Sequence, residues 1–180
     1  MSRIPAVDPT SATGPVQSLL DGVHRGFGAT PNLFRVAAQS ASALEGMVMM
    51  FGAVAKGQLD AKTREAVALA VSEANGCDYC LSAHTALGRQ AGLSDEALAG
   101  AREGRGDDPR GTAVLRLART IVERRGHLGD AELVEARRAG LTDGEIIEVV
   151  VNVALTTLTN YLNVVAATEI DFPIVRHRAR

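Results

Sequence analysis

The placement of proline sets the strongest limit on what this chain can fold into. Its six prolines stand at positions 5, 9, 15, 31, 109 and 173. Proline locks its own φ and has no N–H to donate, so it suits chain ends and helix starts and disrupts helix interiors. Residues 32–108 and 110–172 are proline-free, and apolar residues recur in them at helical spacing, as in Leu44, Met47, Val48, Phe51, Val54 and Ala55. The expected fold is all-α.

Glycines and capping residues divide these stretches. Residues 1–13 read as an extended arm, and Gly14-Pro15 opens a first helix carrying Val16, Leu19, Leu20, Val23 and Phe27. Pro31 starts a short second helix, and a third runs from Ser40 to about Lys56, ended by Gly57. Asp60 caps a helix from Ala61 to about Asn75, where Asn75-Gly76 tolerates the left-handed conformation of a helix stop. Cys77 then falls at or near the start of a new helix, which Gly92 closes. Ser94 caps a short helix, residues 104–109 form a polar loop, and a helix follows from about Arg110 to Arg125. After a short helix from Asp130 to Arg138, Thr142-Asp143-Gly144-Glu145 forms a capping box, opening a last helix expected to reach about Ile170.

A length of 180 residues with 46% hydrophobic and 22% charged residues suits one globular domain over 1–180. A net charge of −2, with 3% aromatic residues and no Trp, argues against a nucleic-acid groove. The amino-terminal MSRIPAVDPTSATG lacks the apolar core of a secretory signal. The most apolar later stretch, Ile146 to Leu158, carries Glu148 and Asn152 and is too short to span a bilayer. The chain is therefore expected to be soluble and cytoplasmic, with neither nucleic acid nor membrane as partner. Its basic end, Arg176-His177-Arg178-Ala179-Arg180, reads as a solvated tail.

An internal echo appears at an offset of 83 residues, pairing Gly57 with Gly140, Asp60 with Asp143, Glu65 with Glu148, Val67 with Val150, Ala83 with Ala166 and Thr85 with Thr168. It reads as a decayed duplication with a redox-motif half at 57–101 and a degenerate half at 140–171, against chance likeness between two Ala- and Val-rich helices. Asn160 and Asn163 fall where Cys77 and Cys80 stand, and Ala167 replaces His84, so thiol chemistry is confined to the first copy.

The chemistry is carried by Glu65 and by Cys77-Asp78-Tyr79-Cys80 with His84 beyond it. On one helix, positions 77, 80 and 84 fall within about 60° of arc. A helix N-terminus, a nearby His and a second thiol all promote the thiolate, and sulfurs one turn apart can close a disulfide. Helix position favours Cys77 as the nucleophile, by roughly 0.3 to 1 kcal/mol of dipole interaction. His84 favours Cys80, because four residues is the spacing at which helical side chains meet and a positioned base contributes ~10²-fold or more. Cys80 is therefore expected to attack and Cys77 to resolve. A zinc site built from Cys77, Cys80, His84 and Glu65 is the rival arrangement, although no second Cys or His pair exists to complete it. His24, His127 and His177 are isolated and default to surface or core roles.

The run Thr63-Arg64-Glu65-Ala66-Val67-Ala68-Leu69-Ala70-Val71, followed by Asn75-Gly76-Cys77-Asp78-Tyr79-Cys80 and Ala83-His84-Thr85, resembles the alkylhydroperoxidase AhpD / carboxymuconolactone decarboxylase superfamily. Thr159-Asn160-Tyr161-Leu162-Asn163 and Thr168-Glu169-Ile170-Asp171-Phe172-Pro173 resemble its peroxidase-related branch. The resemblance implies an AhpD-like helical bundle, a homotrimer or homohexamer, and a thiol peroxidase acting on hydrogen or organic peroxides through Cys80, Cys77, His84 and Glu65. It implies no cofactor or metal, and an external thiol reductant, either a protein or a lipoyl-type dithiol. Glu65 is the carboxylate the family pattern favours for orienting His84, with Glu73 as the rival. Family members often carry a relay His between the cysteines, where this chain has Tyr79. The decarboxylase branch lacks the cysteine pair, which makes lactone chemistry a poor fit. The alternative reading is a non-catalytic module whose cysteine pair senses oxidants or binds zinc.

Overall fold

The computed structural model describes residues 2–178, in which nine helices and no strand are found. They are α1 (Gly14–Phe27), α2 (Asn32–Ala37), α3 (Ala41–Val54), α4 (Ala61–Asn75), α5 (Asp78–Gln90), α6 (Asp95–Arg102), α7 (Pro109–Glu123), α8 (Asp130–Arg138) and α9 (Asp143–Ala166). The fold is all-α, as expected.

α4 lies at the centre, packed against α5, α6, α7 and α9. Its residues Val67, Ala68, Leu69, Ala70, Val71 and Ser72 are buried in succession, so it has no solvent face over nearly two turns. Such a helix is held by its neighbours, each buried Val or Leu contributing about 1.5–3 kcal/mol. One core joins α4 to Val114, Leu117 and Ala118 of α7 and to Ile146, Val149 and Val153 of α9. A second joins Leu20 and Val23 of α1, Leu33 and Phe34 of α2 and Leu44 and Met47 of α3 to Cys77, Tyr79, Cys80 and Ala83. The cysteines thus belong to the packing of the amino-terminal helices onto α5.

The joint between α4 and α5 is two residues long, Gly76 and Cys77. Asp60 caps α4 by accepting from Thr63 N at 2.8 Å. At the other end Gly76 turns left-handed, with φ 67° and ψ 34°, and Cys77 N donates back to Ser72 O at 3.0 Å, the long-range bond of a Schellman closure. Cys77 then caps α5: its sulfur accepts from Cys80 N at 3.3 Å, and its carbonyl accepts from Leu81 N at 2.9 Å. Cys77 is therefore outside the helix, and the arc estimated for three positions on one helix applies to Cys80 and His84 alone.

α9 begins at the capping box, where Thr142 and Glu145 exchange hydrogen bonds of 2.9–3.2 Å. It ends at Ala166, earlier than the expected Ile170, because Ala167 turns left-handed with φ 48°. Arg3 N and Ile4 N donate to the Ala166 carbonyl, so the amino-terminal arm satisfies a helix end. Over 24 residues α9 is long and apolar enough to cross a membrane by length and composition, a longer apolar element than Ile146 to Leu158 suggested, but half of its most apolar window is buried within the protein.

The described residues of the basic tail, 176–178, are exposed as a solvated end would be, but the segment is tethered to the helices beneath it. Val175 N donates to Ser82 Oγ at 2.9 Å, and His177 N and Nδ1 both lie within 2.8 Å of Asp78 Oδ1. Arg176 pairs with Asp78 Oδ2 at 2.8 Å, and Arg178 N donates to Glu73 Oε1 at 2.7 Å. Charged acceptors on α4 and α5 hold the segment in place as a strap over the joint, and the His177 ring lies beside Gly76. Ala179 and Arg180 lie outside the described residues.

Gly76→Ala is expected to cost about 1–2 kcal/mol through its left-handed φ, since a Cβ there makes only an ordinary contact at 3.7 Å. Urea unfolding measures this, and an unchanged midpoint would contradict the role given to the joint.

Candidate functional site

The site is built where α4, α5 and α9 converge. Cys77 and Cys80 are both free thiols and both buried, at 1% and 2% exposure. Their sulfurs lie 2.6 Å apart, with Cys77 as donor to Cys80. A disulfide bond is ~2.05 Å long, so bond formation needs only a small movement.

The surroundings treat the two sulfurs oppositely. Cys77 gives its proton to the hydrogen bond with Cys80, and that bond with burial pushes its pKa far up. Burial also pushes Cys80 up. The Cys77 thiol, the charge of His84 and the amides of Asn163 and Asn160 outweigh it and lower Cys80 to about 7. The arrangement thus favours the proton on Cys77 and the negative charge on Cys80.

His84 stands one helical turn beyond Cys80, its Nδ1 2.7 Å from Glu65 Oε2. Burial lowers the His84 pKa, but the Glu65 carboxylate more than compensates, and the net direction is upward. No direct hydrogen bond joins His84 to Cys80. They act on each other electrostatically and line the same chamber. Glu73 is drawn elsewhere, paired with Arg102 at 2.6 Å and with the Arg178 backbone. Eight residues along α4 separate the two carboxylates, or about 12 Å of helix axis, which puts them on different neighbours.

Tyr79 has a structural task. Its buried hydroxyl accepts from Leu33 N at 3.0 Å, satisfying one of the unpaired donors at the start of α2. Its ring meets Phe172 edge-on at 5.8 Å.

The chamber that opens onto Cys80 and His84 has a volume of about 250 Å³ and is walled by Phe27, Phe34, Phe51, Tyr79 and Phe172, with Leu33, Ala83 and Leu87. The chain has only four Phe and two Tyr, so five of its six aromatic rings gather here. Phe27, Phe34 and Phe51 pack on one another with centroids 5.2 to 6.3 Å apart. An adjoining chamber of about 420 Å³ shares these three rings and reaches Glu65 and Arg64. Cys77 lines neither, so an incoming molecule meets Cys80 first.

α9 supplies residues whose role the sequence did not announce. Asn160 donates to Ser72 Oγ at 3.1 Å and accepts from Asn75 at 2.9 Å, tying α9 to α4. Asn163 Nδ2 donates to Cys80 Sγ at 3.3 Å. The 83-residue echo had aligned Asn163 with Cys80, and the two positions touch. Among the described residues no three His, Cys, Asp or Glu side chains gather as a metal site requires.

Residues 42–123, which include Glu65, both cysteines and His84, match the carboxymuconolactone decarboxylase family. No curated protein matches the sequence. Among solved structures, an uncharacterized peroxidase-related protein with an alkylhydroperoxidase AhpD core, from Ralstonia eutropha JMP134, is similar with a TM-score of 0.85 and 22% identity, covering 94% of this chain and 92% of its own. A peroxidase-related protein from Silicibacter sp. TM1040 gives 0.81 and 22%, covering 92% and 88%. The debrominase Bmp8, in complex with 2,3,4-tribromopyrrole, gives 0.80 and 18%, covering 93% and 91%.

Alkylation of the reduced protein is expected to modify Cys80 with a midpoint near pH 7, its rate rising with pH as the thiolate fills, while Cys77 stays unmodified until strongly alkaline pH. Peptide mapping of iodoacetamide adducts reads this, and first labelling at Cys77 would reverse the assignment.

Proposed function

From the match of residues 42–123 to the carboxymuconolactone decarboxylase family and the fold shared with peroxidase-related proteins, we propose that this chain is an AhpD-type dithiol peroxidase reducing organic hydroperoxides. The observation that carries the reading is a buried dithiol whose sulfurs lie 2.6 Å apart, with Cys80, the sulfur its surroundings make the more acidic, facing a chamber lined by most of the chain's aromatic rings.

Cys80 as thiolate attacks the terminal peroxide oxygen. The O–O bond breaks, Cys80 becomes a sulfenic acid, and the departing alkoxide takes a proton from His84, which Glu65 holds in its charged form. The Cys77 sulfur then displaces the hydroxyl of the Cys80 sulfenic acid, and the Cys77 thiol proton leaves with it as water, closing the disulfide. The peroxide has gained two electrons and become alcohol and water. An external dithiol, protein or lipoyl-type, restores the pair by exchange at Cys80, the sulfur that faces the chamber. Tyr79 supplies wall and anchor where a relay His would stand, leaving proton transfer to His84. Such a cycle needs a reducing compartment, and we place it in the cytoplasm.

A homotrimer or homohexamer is part of the proposal. Its support is the face of α9 that exposes Ile147, Leu158, Tyr161, Val164 and Val165 at 47–63%, an apolar stripe of the kind that marks an interface.

A second reading takes the dithiol as a reductant of halogenated aromatics, exchanging a carbon–bromine for a carbon–hydrogen bond as the disulfide forms and bromide leaves. It is favoured by the aromatic chamber at Cys80 together with the shared fold of a debrominase.

The test is single-turnover oxidation of the reduced protein by cumene hydroperoxide and by hydrogen peroxide. Cumene hydroperoxide is expected to react faster, Cys80→Ser to be inert, and His84→Gln to be slower by about 10²-fold. Equal inertness of wild type towards both peroxides would contradict the peroxidase reading, and bromide release from a bromopyrrole would then support the second.

A further inference from the structure

The Asn163 side chain is placed unusually for a core residue. It is 3% exposed, and the one polar contact its amide makes is the hydrogen bond from Nδ2 to Cys80 Sγ at 3.3 Å. Its Oδ1 is buried with no partner. Asn160, one turn earlier, uses both ends of its amide to join α9 to α4. Asn163 reaches another helix only through the Cys80 sulfur, so packing alone leaves the amide unexplained: an apolar side chain of its size would fill the space without burying an orphaned oxygen.

We propose that Asn163 is a positioning residue for the reaction at Cys80, holding the sulfur as its thiolate through the Nδ2 hydrogen bond. A neutral thiol sulfur is a weak acceptor, whereas a thiolate is a strong one. A donor fixed against the sulfur therefore favours the charged form over the neutral form. The groups that face Cys80 divide the work by element. Cys77 donates from the joint ahead of α5, His84 contributes charge from α5 itself, and Asn163 donates from α9. Asn163 is the neutral side-chain amide whose Nδ2 lies at 3.3 Å from the sulfur, with Asn160 one turn earlier a second, smaller influence of the same sign, and it carries no proton that titrates near neutral pH. Its contribution stays constant while Cys77 and His84 exchange protons during turnover.

The echo between the two halves gives the contact its logic. Position 163 lies where position 80 would fall in the second copy, and the two positions meet where α5 packs against α9. One copy presents the sulfur and the other presents its donor.

The inference rests on Cys80 being the attacking thiol, but its test reads ionisation and not turnover, so it can fail while peroxidase activity stands. In the full-length reduced protein, the pH dependence of iodoacetamide labelling at Cys80 is followed by peptide mapping in wild type, Asn163→Leu, Asn163→Asp and Thr168→Val. Asn163→Leu keeps the size and removes the donor, and its midpoint is expected to rise by about one unit, a tenfold loss of thiolate well below the midpoint. Asn163→Asp places a carboxylate there and is expected to shift it further. Thr168→Val removes the other buried orphaned oxygen and is expected to leave the midpoint unchanged, which separates a general packing effect from donation. In wild type, the Asn163 side-chain amide protons are expected to titrate by NMR with the Cys80 midpoint and to lose that titration in Cys80→Ser, a readout independent of whether the variants fold. An unchanged midpoint in Asn163→Leu, an equal shift in Thr168→Val, or amide protons that do not titrate with Cys80 would overturn the proposal.

Discussion

A charged sulfur shut away from water must be solvated by the protein, and the arrangement of the site follows from that requirement. Cys80 is 2% exposed, and burial alone would keep its proton on. Four groups reverse this: the Cys77 thiol, the His84 charge and the amides of Asn163 and Asn160. They come from the α4–α5 joint, from α5 and from α9. The packing of α5 between α4 and α9 is therefore the condition for the thiolate, and the central burial of α4 is the condition for that packing. Gly76 matters for the same reason, since its left-handed turn lets Cys77 serve at once as the end of one helix and the cap of the next.

The peripheral segments act on this joint. The amino-terminal arm closes α9 at Ala166, and the carboxy-terminal strap ties Asp78 and Glu73, on the two sides of Gly76, to residues 176–178. Ser82, one turn into α5, holds Val175 as well. α5 is thus fixed along its first turn from outside, while the chamber side stays open to Cys80.

Much of the helix pattern was legible because its signals are local. Asp60, Ser94 and the Thr142–Glu145 box each cap the helix their position announced, and proline and glycine marked most of the ends. What was not legible depends on partners far apart in the chain. The tethering of the exposed basic tail was not legible, because nothing near it in sequence shows that Asp78, Glu73 and Glu103 await it across 75 to 105 residues. Helical periodicity could not choose between Glu65 and Glu73, since the choice depends on which neighbour each meets: His84 for one and Arg102 for the other. It also placed Cys77 on the same helix as Cys80, when Cys77 is the cap residue that precedes the helix and turns its sulfur back onto the first turn. The echo linked Asn163 with Cys80 by position only. Their contact needed the fold.

The division of labour between the two sulfurs is the central claim, and trapping the first oxidation product tests it most directly. Cys77→Ser and Cys80→Ser proteins, each treated with one equivalent of peroxide in the presence of a sulfenic-acid trap, leave a single thiol to report. The account predicts a trapped adduct at Cys80 in the Cys77→Ser protein and none at Cys77 in the Cys80→Ser protein. An adduct at Cys77 in the Cys80→Ser protein, with Cys80 unlabelled in the other, would contradict it.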